Sequence, residues 1–164
     1  MELDEFVEAH YARLLRTAFL LTGDRAAAED LLQEVLATSW AYAQRSKIEQ
    51  PGAFLRRCLV NQYLSQGRRR RRIQEEPTDP AEIPQELLVD VSDGLAARDV
   101  MWQALAALPR HQRAILVLRF YEDMTEAQIA DLLRVRVGSV RSGSWRGLQR
   151  LRTTIAITTE DQHA

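Results

Sequence analysis

Apolar side chains recur along this chain at helical spacing and almost never in strand-like alternation. Val7, Leu14, Ala18 and Leu21 fall at i, i+7, i+11 and i+14, which puts them on one face of a helix over Asp4 to Leu21. Gly23 can end that helix and Asp24 can cap the next. The second helix, Arg25 to Gln44, carries Leu32, Leu36 and Trp40 along one stripe, with Asp30, Gln33 and Glu34 grouped away from it. After the break KIEQPG comes a third helix, Ala53 to Gln66, with Phe54, Leu55, Cys58, Leu59, Val60, Tyr63 and Leu64 around most of its circumference. An apolar band that wide predicts the central, most buried helix of the first half.

The pattern changes from Ile73 to Gly94. The segment EEPTDPAEIPQELLVDVSDG holds three prolines, seven acids and no base, the composition of an extended linker that repels nucleic acid. Helical periodicity then returns. Met101, Leu105 and Leu108 recur at i, i+4 and i+7, Pro109 is placed to open another helix, and Ile115, Leu116, Leu118 and Phe120 supply its buried side. Thr125 is a good N-cap for a short helix whose inner face is Ile129, Leu132 and Leu133. A three-residue break, Arg134 to Arg136, leads to a last helix marked by Val137, Val140, Leu148, Leu151 and Ile155. The predicted fold class is all-α: two small helical domains joined by an acidic, proline-containing linker, the C-terminal one a helix-turn-helix domain.

Composition narrows what such a chain can do. Its 164 residues are 46% hydrophobic and 27% charged, the balance of a soluble globular protein. The net charge of −1 argues against a generally basic nucleic-acid coat, so any DNA-binding function must rest on local segregation of charge. No apolar run approaches the ~18 residues of a membrane span, and the start MELDEFVEAH is acidic where a signal peptide is basic. A cytoplasmic protein without membrane insertion is expected. The single cysteine, Cys58, sits in a helical apolar pattern with no second thiol or nearby histidine, so it reads as a buried structural thiol and no metal or cofactor is expected. His10, His111 and His163 are scattered and there is no glycine-rich phosphate loop, which points away from an enzyme.

Charge segregation is present at two places. GRRRRR, Gly67 to Arg72, follows directly on the third helix, and the last helix carries Arg141, Arg146, Arg150 and Arg152. A short helix, a tight turn and a longer basic helix is the arrangement in which the second helix enters the major groove. A basic surface on a helical hairpin and a lone arginine run are each compatible with simple solvation. Their occurrence together, on either side of an acidic linker, is more specific than either alone.

From end to end the sequence resembles the bacterial sigma factors of the extracytoplasmic-function type. DRAAAEDLLQEVLATSWAYA is similar to that family's acidic polymerase-binding helix, and PGAFLRRCLVNQYLSQGRRRRR to its promoter-melting helix with a basic tail. LPRHQRAILVLRFYEDMTEAQIADLLRVRVGSVRS is similar to its C-terminal helix-turn-helix domain, and the wording around the arginine run is closest to the short actinobacterial members called the SigE family.

The resemblance implies region 2 over residues 1–72, a linker over 73–94, region 4 over 95–157 and a tail over 158–164. It implies that Asp30, Gln33 and Glu34 dock on a basic coiled coil of the polymerase's largest subunit. It further implies that the third helix and its neighbouring loop hold an unstacked base of the minus-ten element, through Arg56, Arg57, Asn61, Gln62, Tyr63 and Arg68, Arg69, Arg70, Arg71 and Arg72. Tyr63 suits a core position equally well. For the minus-thirty-five element the implied contacts are Arg136, Ser139, Arg141, Ser142, Trp145, Arg146 and Arg150. The implied partners are core RNA polymerase, promoter DNA and an anti-sigma factor, with a monomer when free. A free-standing helix-turn-helix regulator is the competing reading; it would need its own dimer interface and leaves the acidic patch and melting helix unexplained.

Two departures from the family pattern bear on the last helix. Arg134 and Arg136 stand where the family often has glycine and then proline, so the turn must be made without the permissive residue. In SGSW, Gly143 and Ser144 replace a basic residue and a large aliphatic, and Ser144 falls in the apolar stripe between Val140 and Leu148. Either Trp145 compensates or the helix is marginal off DNA; on the second reading Ser144→Leu would stabilise the domain.

Overall fold

The computed structural model describes residues 2–73 and 95–163, and the predicted linker lies outside them apart from Ile73. The chain divides into two compact units, Met1–Thr78 and Asp79–Ala164. Every regular element among the described residues is helical.

The first unit is three helices, α1 (Leu3–Thr22), α2 (Arg25–Ala43) and α3 (Pro51–Ile73), each packed on the other two. Asp4 and Glu5 complement the dipole in the first turn of α1. Gly23 ends it in the left-handed region at φ 74°, its N–H donating to the Phe19 carbonyl at 2.8 Å. Asp24 then caps α2, its Oδ2 accepting from the Ala27 N–H at 3.0 Å, so a sharp reversal is made with the two residues the pattern nominated. Pro51 stands at the first position of α3, where its missing N–H costs nothing.

The core combines Val7, Leu14, Ala18, Phe19 and Leu21 of α1 with Leu31, Leu32, Val35 and Leu36 of α2 and Leu55, Leu59, Val60 and Tyr63 of α3. Full burial of each large side chain is worth roughly 1.5–3 kcal/mol. One expectation fails at the end of α2. Leu32 and Leu36 are buried as expected, but Trp40 is 39% exposed, and the last turn of the helix buries Ser39 in its place, continuing the adjacent Ala28, Leu31 and Val35 row. Cys58 is half-buried, and burial pushes its thiol pKa up against the opposing influence of the nearby Ser39 hydroxyl and the Arg57 charge. α3 extends beyond Gln66 through the arginine run.

The second unit contains α4 (Leu95–Ala106), α5 (Arg110–Leu116), α6 (Glu126–Leu133) and α7 (Val137–His163). α5 passes without a break into a π-helical turn, Val117–Tyr121. The core is Val100, Ala104, Leu108, Ile115, Leu116, Val117, Leu118, Ile129, Leu132 and Val140. Met101 and Phe120, both expected inside, are exposed: α4 buries the neighbouring stripe through Ala104, and the π turn shifts Phe120 to the surface at 57% exposure. Arg113 is buried, and its Nη2 donates to the carbonyls of Ala106 at 2.6 Å and Leu108 at 3.2 Å. A cation thus satisfies the carbonyls where α4 ends and favours that end of its dipole. Residues 158–163, expected as a tail, continue α7.

Candidate polymerase and nucleic-acid interfaces

In the first unit Asp30, Gln33 and Glu34 are exposed together on α2, opposite its buried stripe. Two of them are tied to neighbouring helices: Gln33 Nε2 lies 3.4 Å from the Tyr11 hydroxyl, and Gln66 Nε2 donates to Glu34 Oε2 at 3.2 Å. The acids remain available, and side chains of α1 and α3 hold their patch in shape.

On α3 the residues Arg57, Asn61, Arg68 and Arg72 stand at i, i+4, i+11 and i+15, one stripe of a helix. Arg57, Asn61, Arg68 and Arg69 are exposed and Arg56 and Gln62 half-buried, while for Arg70 to Arg72 only the helical backbone is described. Tyr63 does not belong to this surface. It is 0% exposed, among the largest side chains of the core, and cannot stack on a base without unfolding the bundle.

Aromatic surface is supplied elsewhere, by residues the sequence reading did not nominate. The Tyr42 and Phe54 rings stack at 5.2 Å between centroids, 28° apart in plane. With Lys47, Ile48, Gln50 and Arg57 they line an open cleft of about 420 Å³ beside the break between α2 and α3. The available signal was two aromatics flanking that break, one on each helix.

In the second unit the helix-turn-helix is built as its residues demand. Thr125 and Gln128 form a reciprocal capping box at the start of α6, the Gln128 N–H donating to Thr125 Oγ1 at 3.1 Å and the Thr125 N–H to Gln128 Oε1 at 2.9 Å. Arg134 ends α6 in the left-handed region at φ 57°, ψ 47°. A residue with a Cβ pays about 1 kcal/mol there relative to glycine. The Val135 N–H donating to the Ala130 carbonyl at 3.0 Å closes the turn regardless.

α7 then has two sides. Val140, Ser144 and Gly147 are buried, whereas Ser139, Ser142, Trp145, Arg146 and Arg150 are exposed on the opposite side, with Arg136 exposed just before the helix. Trp145, at 63% exposure, therefore does not fill the place of a missing aliphatic. Close approach does that instead. A Cβ on Gly143 would stand 2.6 Å from Ile115 Cδ1, and one on Gly147 would stand 3.1 Å from Leu116 Cδ1. Ser144 is 3% exposed, its Oγ 3.5 Å from Arg119 Nη1. The expectation of an underfilled stripe is thus corrected: small residues at 143, 144 and 147 bring α5 against α7.

Three charged groups cross-link this unit. Glu126 Oε1 accepts from Arg119 Nη1 at 2.7 Å and Glu126 Oε2 from Arg141 Nε at 3.0 Å. The hydrogen bond from Arg119, helped by Arg141, holds the Glu126 carboxyl below its ordinary range against the opposing effect of desolvation.

Residues 6–73 match the family described as Sigma-70 region 2, and residues 98–151 match Sigma-70, region 4. Over 167 aligned residues the chain is 32% identical to the RNA polymerase sigma-E factor of Streptomyces coelicolor, covering 100% of this chain and 92% of that protein. The chain belongs to the extracytoplasmic-function sigma-70 family. It is 37% identical to the sigma factor SigE of Mycolicibacterium smegmatis, covering 93% of this chain and 61% of that protein. Among solved structures it shares the fold of the sigma factor RpoE in complex with the anti-sigma factor NepR from Bartonella quintana. That match has a TM-score of 0.73 at 23% identity and covers 93% of this chain and 98% of the other. The sigma factor SigJ of Mycobacterium tuberculosis superposes with a TM-score of 0.66 at 26% identity, over 92% of this chain and 54% of that one. As a sigma factor the protein partners core RNA polymerase and directs promoter-specific initiation of transcription. No helix among its described residues is long and apolar enough to cross a membrane.

Proposed function

We propose a division of labour within this sigma factor. Residues 1–72 bind core polymerase through Asp30, Gln33 and Glu34 and open the minus-ten element; residues 95–157 read the minus-thirty-five element through α7; the acidic linker joins them. The docking role is supported by three exposed polar groups on one face of α2, two of them, Gln33 and Glu34, held by Tyr11 and Gln66; the acids complement a basic coiled coil. For melting, the support is the α3 stripe of Arg57, Asn61 and Arg68, whose Arg57 also lines the Tyr42–Phe54 cleft: a basic track for backbone and a partly apolar recess for one unstacked base. For α7, the support is a face of Ser139, Ser142, Arg146 and Arg150 presented by a capped helix and a tight turn.

A protein of this kind acts without catalytic residues or cofactor, in the cytoplasm where its polymerase works, as a monomer when free. An anti-sigma factor is its natural antagonist, as NepR is the partner of the Bartonella quintana sigma factor. The observation that carries the proposal is the pairing, in one chain, of the acidic patch on α2 with the basic stripe on α3, which a free-standing regulator does not need. In vitro transcription tests it. Asn61→Ala is expected to relax base preference within the minus-ten element, and Arg68→Gln with Arg69→Gln to weaken open complexes on every sequence and flatten their salt dependence. Equal discrimination by wild type and Asn61→Ala rejects Asn61 as a base reader, and duplex binding that needs no polymerase favours the regulator reading.

A further inference from the structure

Glu126 places a negative charge against Arg141 of α7, the helix proposed above to face DNA, where electrostatics alone would disfavour it. It is the first residue of α6 and is held there by the Thr125–Gln128 capping box, so its carboxylate starts from a rigid base. Its two oxygens are divided between two arginines from different elements, Arg119 of the π turn at 2.7 Å and Arg141 of α7 at 3.0 Å. Arg119 is itself confined, with its guanidinium carbon 5.5 Å from the centre of the Phe120 ring and its Nη1 3.5 Å from the buried Ser144 Oγ. Arg141 is different. Its side chain is 71% exposed, and it meets Glu126 through Nε, which leaves both terminal Nη groups for another acceptor.

We propose that Glu126 is a positioning residue that anchors Arg141 by its Nε and aims the outer edge of that guanidinium at the minus-thirty-five DNA. This rests on the reading of α7 as the DNA-facing helix and adds the device that sets one of its contacts. An unanchored arginine loses rotamer freedom when it binds, whereas one already held by a carboxylate has less to lose. The gain comes only where an acceptor sits in the aimed direction, so the anchor raises discrimination between sequences more than affinity for duplex in general.

The prediction therefore opposes simple Coulomb reasoning. Removing an acid next to DNA should strengthen binding to every duplex, but Glu126→Gln is expected to lower the ratio of specific to non-specific affinity about five-fold or more, the smaller end of what one well-placed arginine contact provides. Holoenzyme made with the full chain is titrated with a duplex enriched from a random pool by the wild type and with a scrambled duplex. In an Arg141→Ala background, Glu126→Gln should cause no further loss of the ratio. A ratio unchanged by Glu126→Gln, while Arg141→Ala lowers it, overturns the anchor and leaves the DNA-facing reading standing. Arg141→Ala without effect on either duplex overturns both. Nitrogen relaxation of the Arg141 Nε in the wild-type full chain needs no variant: it should be ordered relative to Arg146, and equal mobility of the two side chains overturns the proposal.

Discussion

Gly143 turns the α5–α7 contact into a test of what holds the second unit together. In an isolated helix Gly143→Ala would gain up to about 1 kcal/mol, because alanine has less backbone freedom to lose. Here the new Cβ would stand 2.6 Å from Ile115 Cδ1, about 1 Å inside the separation at which carbon atoms attract. Ile115 is fully buried, so its Cδ1 has no solvent to rotate into, and overpacking of this kind costs about 1–3 kcal/mol. The single variant should therefore be destabilised by about 0–2 kcal/mol. Ile115→Val removes the colliding atom and by itself costs about 0.5–1.5 kcal/mol. Combined, the clash disappears and the helix gain returns, so the double variant should lie close to wild type. A coupling of about 1–3 kcal/mol is expected where distant sites would add within about 0.5 kcal/mol. The assay is urea unfolding of the full chain by fluorescence in a Trp40→Phe background, which leaves Trp102 and Trp145, both in the second unit. Additive behaviour, or stabilisation by Gly143→Ala alone, would refute the close-approach argument.

Other outcomes follow from the same geometry. Ser144→Leu should lower the midpoint of the second unit, because Ser144 is buried and flanked by two glycines in close contact with α5; a higher midpoint in thermal denaturation would restore the underfilled-stripe reading. Asp30→Arg with Glu34→Arg should cost several kcal/mol of core-polymerase affinity through like-charge contact, with the fold intact since both sites are exposed. Undiminished capture of core polymerase by the folded double variant rejects that docking patch. The Glu126 carboxyl is depressed in the folded state, so its contribution to stability is complete above its ordinary value of 4.5 and is lost as pH falls through the lower folded value. Between about pH 6 and pH 3 the second unit should thus lose more stability in the wild type than in Glu126→Gln, with the difference confined to pH below about 5; parallel profiles in a pH series of melting curves contradict it.

The residues that could be read in advance are those whose role is decided within one helix or one turn. Val7, Leu14, Ala18 and Leu21 are buried as their spacing requires, and Gly23, Asp24 and Thr125 end or cap the helices they adjoin. The acidic patch and the exposed serines and arginines of α7 were legible for the same reason. Where several apolar stripes lie side by side, spacing alone does not choose among them. On α4 the Met101–Leu105–Leu108 stripe and the Val100–Ala104–Leu108 stripe are neighbours, and the second is the more deeply buried. Tyr63 shows the limit from the other side: residue chemistry suits an aromatic for stacking, and only the packing of three helices assigns it to the core while Tyr42 and Phe54 line the cleft. Gly143 and Glu126 were harder still. Helix propensity counts glycine as a weakness because it treats the helix as isolated, but the atom that makes Gly143 necessary belongs to Ile115, in another helix. Likewise Glu126 has its partners at Arg119 and Arg141, neither at the i+3 or i+4 spacing by which ion pairs are recognised on a single helix. Both features belong to the assembled second unit, so a substitution that leaves every single-helix rule satisfied can still disturb how α7 is held against α5 and α6.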